Sequence, residues 1–447
     1  MLKISFICAV MRILLSFILL LGLSCTVARR GSGYYRNLNK EIRQSLVFSK
    51  AFTGFALMDA QTGAILCSDN ADRYFTPASN TKILTLSAAL AALGDSIPGF
   101  RYAVSKDTLF VVPEGDPTFL NPYFAAWQSG YHFIKSHPAK YIIVCDQAPA
   151  LLPFGPGWMW DDFNSEYSPE RSVWPIYSNL RRIVAVKPDS LAAEPPYWNR
   201  FLIKSDLDSS QIRPEDGQNT IFYARKSNFS ANFEEWIPVH DAKANNRILI
   251  EDTLHKSLIF RDIIPNNQEW NTWKSTPADT VYRRLMHQSD NFIAEQLLLM
   301  SAAAKTGKFE RQNMIDWMKN NNFSNLPFPP RWVDGSGLSR YNMNTPLSNV
   351  QILLQLWKSQ PHERLFSLFP AGGVSGTIAT LYAGADQQPY IFAKTGSMTG
   401  VHCLSGYLLT KRNKVLIFSF MHNNFVGSSK PWKEEMQRIL AKIRSDL

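Results

Sequence analysis

Two residues in this chain have the spacing of a nucleophile and its base. Ser79 and Lys82 belong to the run 76–84, and no other serine in the 447 residues is followed three positions later by a lysine. A serine hydroxyl attacks well only when a neighbouring group removes its proton. A lysine one helical turn away lies on the same face of the helix and can take that proton while it is neutral. The spacing therefore predicts Ser79 as a nucleophile and Lys82 as its general base.

Two further polar triplets each occur twice, and their surroundings distinguish the copies. Ser-Asp-Asn occupies 68–70 and 289–291, and Lys-Thr-Gly occupies 305–307 and 394–396. The copy at 289–291 opens an apolar helical run, whereas the copy at 68–70 precedes the nucleophile in a polar turn. The copy at 394–396 ends a β-type run, whereas the glycine of the other copy is typical of a helix C-terminus. We therefore select 289–291 and 394–396.

The first selected triplet supplies groups for proton transfer. Ser289 is the candidate for passing a proton to the leaving amine, and Asn291 is the candidate for orienting the substrate amide and holding Lys82. Lys82 can act as a base only if burial or a nearby cation lowers its pKa, and Lys394 is a candidate for that cation. Which group moves which proton stays open.

The strand that carries the second selected triplet supplies groups that bind substrate. A substrate peptide that lies along a strand pairs with its backbone. Lys394 and Thr395 are then the candidates for binding a terminal carboxylate, and Gly396 would let the peptide approach closely. The backbone N–H groups of Ser79 and Ser397 are the candidates for an oxyanion hole.

The elements around these residues predict an α+β fold, in which helices flank an antiparallel sheet. Alternating apolar residues predict the strands, and apolar residues at helical spacing predict the helices. The expected elements are a strand pair over 54–67, a helix over 81–93, strands over 390–394, 404–410 and 415–421, and a closing helix over 432–443.

A long stretch of different texture separates the catalytic residues and predicts an insertion. Residues 29–100 and 271–447 are expected to form one catalytic domain, and residues 101–270 to form one or two small inserted domains. Short apolar runs in the insertion predict strands. The expected strands include 108–112, 141–145, 183–186 and 248–250, a helix is expected over 122–137, and helical structure is expected again from 272.

The first 28 residues are typical of an export signal. Residues 13–23 form an apolar run that is too short to span a bilayer, and cleavage is expected after Ala28. Cys25 raises the alternative of a lipid anchor, and an uncleaved anchor is a second alternative. We therefore expect an exported protein of the periplasm or cell envelope.

The composition favours a folded, wall-associated protein. Hydrophobic residues make up 45% and charged residues only 19%, which argues against disorder. The net charge of +10 suits an anionic wall or membrane surface, and no nucleic-acid motif accompanies it. Cleavage of the signal would leave Cys67, Cys145 and Cys403, for which small buried thiols are a simpler interpretation than a disulfide. No residue spacing predicts a metal site, and no cofactor is expected.

Seven short stretches carry motifs that resemble the signatures of one family. They are 77–82, 115–118, 155–164, 289–295, 334–340, 393–397 and 404–407. They resemble the class C low-molecular-mass penicillin-binding proteins of the penicillin-binding protein 4 type. The resemblance covers nearly all of 45–424, including the insertion as such, but little of 191–246.

This resemblance implies a β-lactamase/transpeptidase-like domain that carries inserted domains. It implies a serine D-Ala-D-Ala carboxypeptidase or endopeptidase that acts on peptidoglycan stem peptides through an acyl-enzyme on Ser79. β-Lactam antibiotics would then be covalent inhibitors. A serine β-lactamase and a non-catalytic wall-binding or β-lactam-sensing protein are the alternatives, and the intact Ser-x-x-Lys motif argues against the latter. The oligomeric state stays open.

A loop rich in tryptophan and glycine suggests one more substrate contact. If the stem peptide carries diaminopimelate, its free amine needs a partner, and Asp161 and Asp162 lie beside aromatic residues in the segment 158–163. We favour Asp162 as that partner. An acidic turn that faces solvent is the alternative.

Overall fold

The computed structural model describes residues 33–146, 151–207, 211–384 and 388–447. The signal peptide expected over 1–28, with Cys25, lies outside the described residues. Within the described ranges, no helix combines the length and the apolar character that crossing a membrane requires.

Helices and strands both occur along the whole described chain, which confirms the predicted α+β class. The strands are β1 (Phe52–Asp59), β2 (Ile65–Asp69), β3 (Ser96–Ser105), β4 (Thr108–Pro113), β5 (Tyr141–Cys145), β6 (Leu180–Lys187), β7 (Ser190–Glu194), β8 (Leu202–Ser205), β9 (Ile212–Pro214), β10 (Ile221–Ala224), β11 (Glu234–Pro238), β12 (Ile259–Arg261), β13 (Asn271–Pro277), β14 (Ile391–Met398), β15 (Val401–Leu409) and β16 (Val415–Asn423). The α-helices are α1 (33–44), α2 (Lys82–Ala92), α3 (Ser129–Ser136), α4 (Ala242–Leu254), α5 (Ala278–His287), α6 (Asn291–Thr306), α7 (Arg311–Asn320), α8 (Pro346–Ser359), α9 (His362–Leu368) and α10 (Lys430–Asp446).

An antiparallel sheet of five strands forms the centre of the catalytic part. Its strand order is β14-β15-β16-β1-β2, so the N-terminal strand pair lies beside the three C-terminal strands. The strand pair over 54–67 and the three strands near the C-terminus are therefore confirmed. This order pairs β1, from the first part of the described chain, with β16 near its C-terminus.

Both faces of this sheet are buried under helices. Successive residues of a strand point to opposite faces. Phe55 and Leu57 of β1 pack into a core with residues of α1 and α10, whereas Ala56 and Met58 pack into a core with residues of α2, α6 and α8. The helix α2, which begins at Lys82, is thus fixed against one face of the sheet.

The insertion has sheets and a core of its own. One sheet of five strands has the order β12-β5-β4-β3-β13, and two sheets of three strands have the orders β11-β6-β7 and β8-β10-β9. Their shared core includes Phe100, Ile142, Trp198 and Leu249.

Three predictions about the insertion and its end are wrong. The run 248–250 lies inside α4, where apolar residues are buried at helical rather than strand spacing. The chain from 272 continues as β13, and the helix starts only at Ala278. The helix expected over 122–137 is divided into a 3-10 segment at Pro122–Trp127 and the helix α3.

One strand pair lies at the expected boundaries of the insertion. Strands β3 and β13 pair with each other in the five-stranded sheet of the insertion, although β3 begins before residue 100. Because a strand belongs with the sheet that satisfies its backbone hydrogen bonds, we propose to divide the chain at the outer ends of β3 and β13 rather than at 100 and 271.

The thiols of Cys67, Cys145 and Cys403 are free and buried, as the interpretation of small buried thiols predicts.

Candidate active site

Ser79 lies in a single 3-10 turn that leads into α2. The turn spans Ala78–Thr81, and α2 follows from Lys82. Ala78 has a φ of 47°, in the left-handed region that is costly for a residue with a side chain. The turn places Ser79 Oγ 2.9 Å from Lys82 Nζ. The two residues predicted from their spacing are therefore within hydrogen-bonding distance.

Lys82 Nζ contacts three oxygen atoms. It lies 2.6 Å from Asn291 Oδ1, 2.6 Å from the Ser336 carbonyl oxygen and 2.9 Å from Ser79 Oγ. The first two oxygens can only accept hydrogen bonds. A neutral amine has two N–H bonds, which these two oxygens take up, so its lone pair is left facing the Ser79 hydroxyl. The geometry therefore suits Lys82 as the acceptor of the Ser79 proton.

Burial lowers the pKa of Lys82 from 10.5 to about 8. The side chain is completely buried, so its ammonium form loses most of its hydration. The carboxylates of Asp334, Asp290 and Glu295 act in the opposite direction and limit the shift. Of the two causes expected from the sequence, burial or a nearby cation, burial is the main one, and Lys394 is not among the groups that shift this pKa.

A helix cap shapes the Ser-Asp-Asn segment. Asp290 Oδ1 accepts a hydrogen bond from the Ile293 N–H at 3.0 Å and so caps α6, and Asp290 Oδ2 pairs with Arg284 at 2.9 Å. Ser289, just before the cap, has a left-handed backbone with a φ of 57°. The cap places Asn291 at the first position of α6.

The amide of Asn291 is oriented by a backbone contact. Its Nδ2 donates to the Tyr167 carbonyl oxygen at 2.9 Å, which leaves Oδ1 to face Lys82. The second Ser-Asp-Asn copy has a different setting, since its first two residues lie on β2 and Asp69 pairs with Arg43. The structure thus brings the later copy, not the earlier one, to Ser79.

Lys394 faces the same segment from β14. Its Nζ donates to Ser289 Oγ at 2.8 Å, and its side chain is completely buried. Burial, and then the charge of Lys82, lowers the pKa of Lys394 well below its usual range. A negatively charged ligand group beside Nζ would favour its protonated form. Lys394 Nζ thus lies beside Ser289, where the sequence predicts that a substrate carboxylate binds.

The other two polar residues of β14 are held by side-chain contacts. Thr395 Oγ1 lies 2.7 Å from Thr377 Oγ1, and Ser397 Oγ lies 2.8 Å from His402 Nδ1. Burial lowers the pKa of His402 to about 3, so its ring is neutral. Because His402 engages the hydroxyl of Ser397, we expect Ser397 to meet a substrate mainly through its backbone.

Two glycines let neighbouring segments approach the Ser79 turn. A Cβ on Gly396 would collide with the Pro77 carbonyl oxygen, and a Cβ on Gly337 would collide with the Ala78 carbonyl oxygen. Gly337 also has a φ of 83°, which favours glycine. We expected Gly396 to make room for substrate. The structure gives this glycine a second role that the sequence did not indicate, because the backbone of the Ser79 turn lies where its Cβ would be.

Asn80 is a residue that the sequence reasoning missed. Its Nδ2 donates to the Lys394 carbonyl oxygen at 2.8 Å, and its Oδ1 accepts from Ser405 Oγ at 2.6 Å. These bonds tie the nucleophile turn to β14 and β15. The only sequence signal for Asn80 is its place between Ser79 and Lys82.

Asp162 lies at the edge of the site, on the side of the insertion. Its Oδ1 accepts a hydrogen bond from Tyr167 Oη at 2.6 Å, and the carbonyl group of Tyr167 is the one that holds Asn291. Asp162 is partly exposed, and Asp161 is exposed. Tyr167, which no sequence pattern indicated, thus connects Asp162 to the catalytic segment.

A cleft of about 260 Å³ opens beside Ser289. Tyr123 and Trp236 stack on its wall with ring centroids 5.9 Å apart, and the Arg284 guanidinium lies 3.3 Å from the Tyr123 ring centroid. Glu166 also lines the cleft. The space beyond Ser289 therefore offers aromatic surface together with charges of both signs.

One protein family matches most of the chain. Residues 35–195 and 266–443 match the D-Ala-D-Ala carboxypeptidase 3 (S13) family. The chain is 28% identical to D-alanyl-D-alanine carboxypeptidase DacB of Haemophilus influenzae over 162 residues, which are 34% of this chain and 33% of that protein. The chain spans only about a third, or less, of the length of the curated relatives that it matches first.

Solved structures share the fold over nearly the whole chain. Penicillin binding protein 4 (dacB) from Haemophilus influenzae covers 92% of this chain and 99% of its own, with a TM-score of 0.73 at 20% identity. Its complex with a β-lactam covers 89% and 98%, with a TM-score of 0.67 at 18% identity. The predicted β-lactamase/transpeptidase-like fold with an insertion is therefore confirmed.

Proposed function

Because the chain belongs to the D-Ala-D-Ala carboxypeptidase 3 (S13) family, we propose that it is a serine D-Ala-D-Ala peptidase that acts on peptidoglycan stem peptides. The observation that carries this proposal is the 2.9 Å contact of Nζ of the buried Lys82 with Ser79 Oγ. We also propose that the protein is exported, because its first 28 residues are typical of a signal peptide and its substrate lies outside the cytoplasm.

The proposed reaction begins with attack by Ser79. Lys82 accepts the hydroxyl proton as Oγ attacks the carbonyl carbon of the penultimate D-Ala, and the N–H groups of Ser79 and Ser397 stabilise the oxyanion. The C–N bond then breaks, and the proton that Lys82 accepted passes through the Ser289 hydroxyl to the leaving nitrogen, which returns Lys82 to its neutral form. Water, activated by Lys82, hydrolyses the acyl-enzyme and restores the serine. The terminal carboxylate of the substrate pairs with Lys394.

Purified sacculi would test this function directly. Incubation with the protein should release D-Ala, separate cross-linked peptides, or do both, and labelled penicillin should remain on the protein as a stable adduct. Folded protein that releases neither product contradicts the proposal. Rapid release of hydrolysed penicillin would favour a β-lactamase instead.

The rate of acylation should depend on pH through the charge of Lys82. We expect the rate to rise with pH up to about 8 and to level off above it, because the protonated amine has no lone pair for the Ser79 proton. Below that pKa, the rate should fall about tenfold per pH unit. Stopped-flow measurement with a fluorescent penicillin gives the profile. A rate that is constant from acid to alkaline pH would exclude neutral Lys82 as the base.

We propose that Asp162 binds the free amine of diaminopimelate in the stem peptide. The substitution Asp162→Asn should then slow cleavage of diaminopimelate peptides about tenfold, because it removes one charge-assisted hydrogen bond. Initial rates on synthetic peptides measure the effect. Peptides without that amine, and the variant Asp161→Asn, serve as controls and should show no change. Equal rates for wild type and Asp162→Asn on the amine-bearing peptide would contradict the assignment.

Cleavage of cross-links is the activity that the cleft beside Ser289 favours in addition to release of D-Ala. In a cross-link, the leaving amine belongs to a second stem peptide, which needs space beyond the scissile bond. The cleft offers about 260 Å³ there, with the stacked pair Tyr123 and Trp236 on its wall. The sacculus experiment distinguishes the activities, since release of D-Ala from sacculi with intact cross-links would restrict the enzyme to carboxypeptidase activity.

A further inference from the structure

A buried ion pair joins the insertion to the catalytic part. Arg171 of the insertion lies 3.4 Å from Glu295 of α6, and their side chains are 1% and 2% exposed. Burying two charges costs free energy that their attraction only partly offsets, so such a pair is weak evidence for stability alone.

The guanidinium of Arg171 is fixed by the loop that precedes it. Its Nη2 donates to the carbonyl oxygens of Leu152 and Phe154, the first at 2.9 Å. It also lies 5.8 Å from the centroid of the Trp158 ring, whose Nε1 donates to Asp334 Oδ2 at 2.9 Å. The insertion therefore holds this cation in a defined place against α6.

The backbone of Ser336 connects Glu295 to Lys82. Glu295 Oε1 accepts from the Ser336 N–H at 2.7 Å, and the Ser336 carbonyl oxygen accepts from Lys82 Nζ at 2.6 Å. The segment lies directly against α6, because Gly335 approaches the Ala294 carbonyl so closely that a Cβ there would collide with it. Glu295 thus fixes the acceptor that directs one N–H of Lys82.

We propose that Arg171 and Glu295 are positioning residues, which act through Ser336 to orient Lys82 toward Ser79 and to set its charge. This inference rests on the proposed function. Four titratable groups interact electrostatically with Lys82: three carboxylates raise its pKa, and Lys82 lowers the pKa of a second lysine. They are Asp290, Glu295, Asp334 and Lys394. Of these, Glu295 is the one paired with a cation of the insertion.

Two substitutions of Glu295 separate its charge from its contact. Glu295→Gln keeps an oxygen for the Ser336 N–H but removes the negative charge and leaves Arg171 unpaired. The pH at which acylation reaches half of its maximum should then fall by on the order of one unit, since a nearby cation favours the neutral lysine. Glu295→Asp keeps the charge but shortens the reach. Its pH profile should keep its midpoint, while the maximal rate falls about tenfold.

A double substitution keeps the test usable if the single variant Glu295→Gln does not fold. Replacing both members of a buried ion pair by uncharged groups is often neutral for stability, whereas replacing one member is costly. The variant Glu295→Gln with Arg171→Met should have a midpoint between those of Glu295→Gln and wild type. Glu114→Gln, which breaks the 2.6 Å pair with Arg101 in the insertion, is the control and should leave the profile unchanged.

The measurement is the acylation rate by fluorescent penicillin per titrated active site, as a function of pH. Midpoints that rise from Glu295→Gln through the double variant to wild type support the inference. Identical midpoints for the folded Glu295→Gln or double variant and wild type overturn it, and assign the pair to stability alone. Failure of wild type itself to be acylated would instead overturn the proposed function.

Discussion

Replacement of Ser79 by alanine should abolish covalent labelling by penicillin and lower peptidase activity by on the order of 10⁴-fold or more. The variant lacks the oxygen that forms the acyl bond. Ser289 does not replace it, because its hydroxyl contacts Lys394 at 2.8 Å rather than the proposed base. Gel fluorescence and intact mass after incubation with labelled penicillin measure the loss.

The duplicated motif offers a matched control for this experiment. Ser68→Ala changes the serine of the other Ser-Asp-Asn copy, which lies on β2, and should leave labelling intact. Thermal unfolding of both variants checks that the fold is retained. A persistent adduct on folded Ser79→Ala protein would remove Ser79 from the role of nucleophile.

Replacement of Lys82 by arginine should slow acylation about 10³-fold while leaving Ser79 in place. Arginine keeps the positive charge, but its guanidinium stays protonated at any accessible pH and offers no lone pair. Its planar, larger head group also differs in shape from the amine that contacts Ser79, Asn291 and Ser336. The second-order rate constant with penicillin, measured near the pH optimum of wild type, gives the effect.

The second Lys-Thr-Gly copy supplies the control for the lysine. Lys305→Arg lies in the last turn of α6, away from the contacts of Ser79, and should acylate like wild type. Folded Lys82→Arg protein that reacts at the wild-type rate would show that another group takes the serine proton.

The convergence of the candidate catalytic side chains could be predicted from sequence because each belongs to a motif with a local structural setting. An N-cap at Asp290 and a strand before Lys394 distinguish the selected copies from their duplicates. The Ser336 carbonyl could not be predicted in this way, since every residue carries a carbonyl group. The contact of Arg171 with Glu295, 124 positions apart, could not be predicted either, because no motif relates these two residues.

The errors in the fold have physical reasons of the same kind. The run 248–250 contains two isoleucines around a leucine, which favour a strand locally, but α4 buries Leu249 and Ile250 on a helical face. The segment that starts at 272 becomes a strand because β3 provides its hydrogen-bond partner. Gly396 shows a further limit of prediction from sequence. The sequence shows that this residue has no Cβ, but not that the backbone of the Ser79 turn lies where a Cβ would be.

The distances along the chain between the site residues have a consequence for folding kinetics. Lys82 meets Asn291 across 209 positions, and Asn80 meets the Lys394 carbonyl across 314. Contacts between residues so far apart in sequence form late, because closing a long loop costs conformational entropy before the contact contributes any stabilisation. During refolding, the capacity to bind penicillin covalently should therefore appear after most helical structure has formed. Penicillin labelling would then report the last stage of assembly.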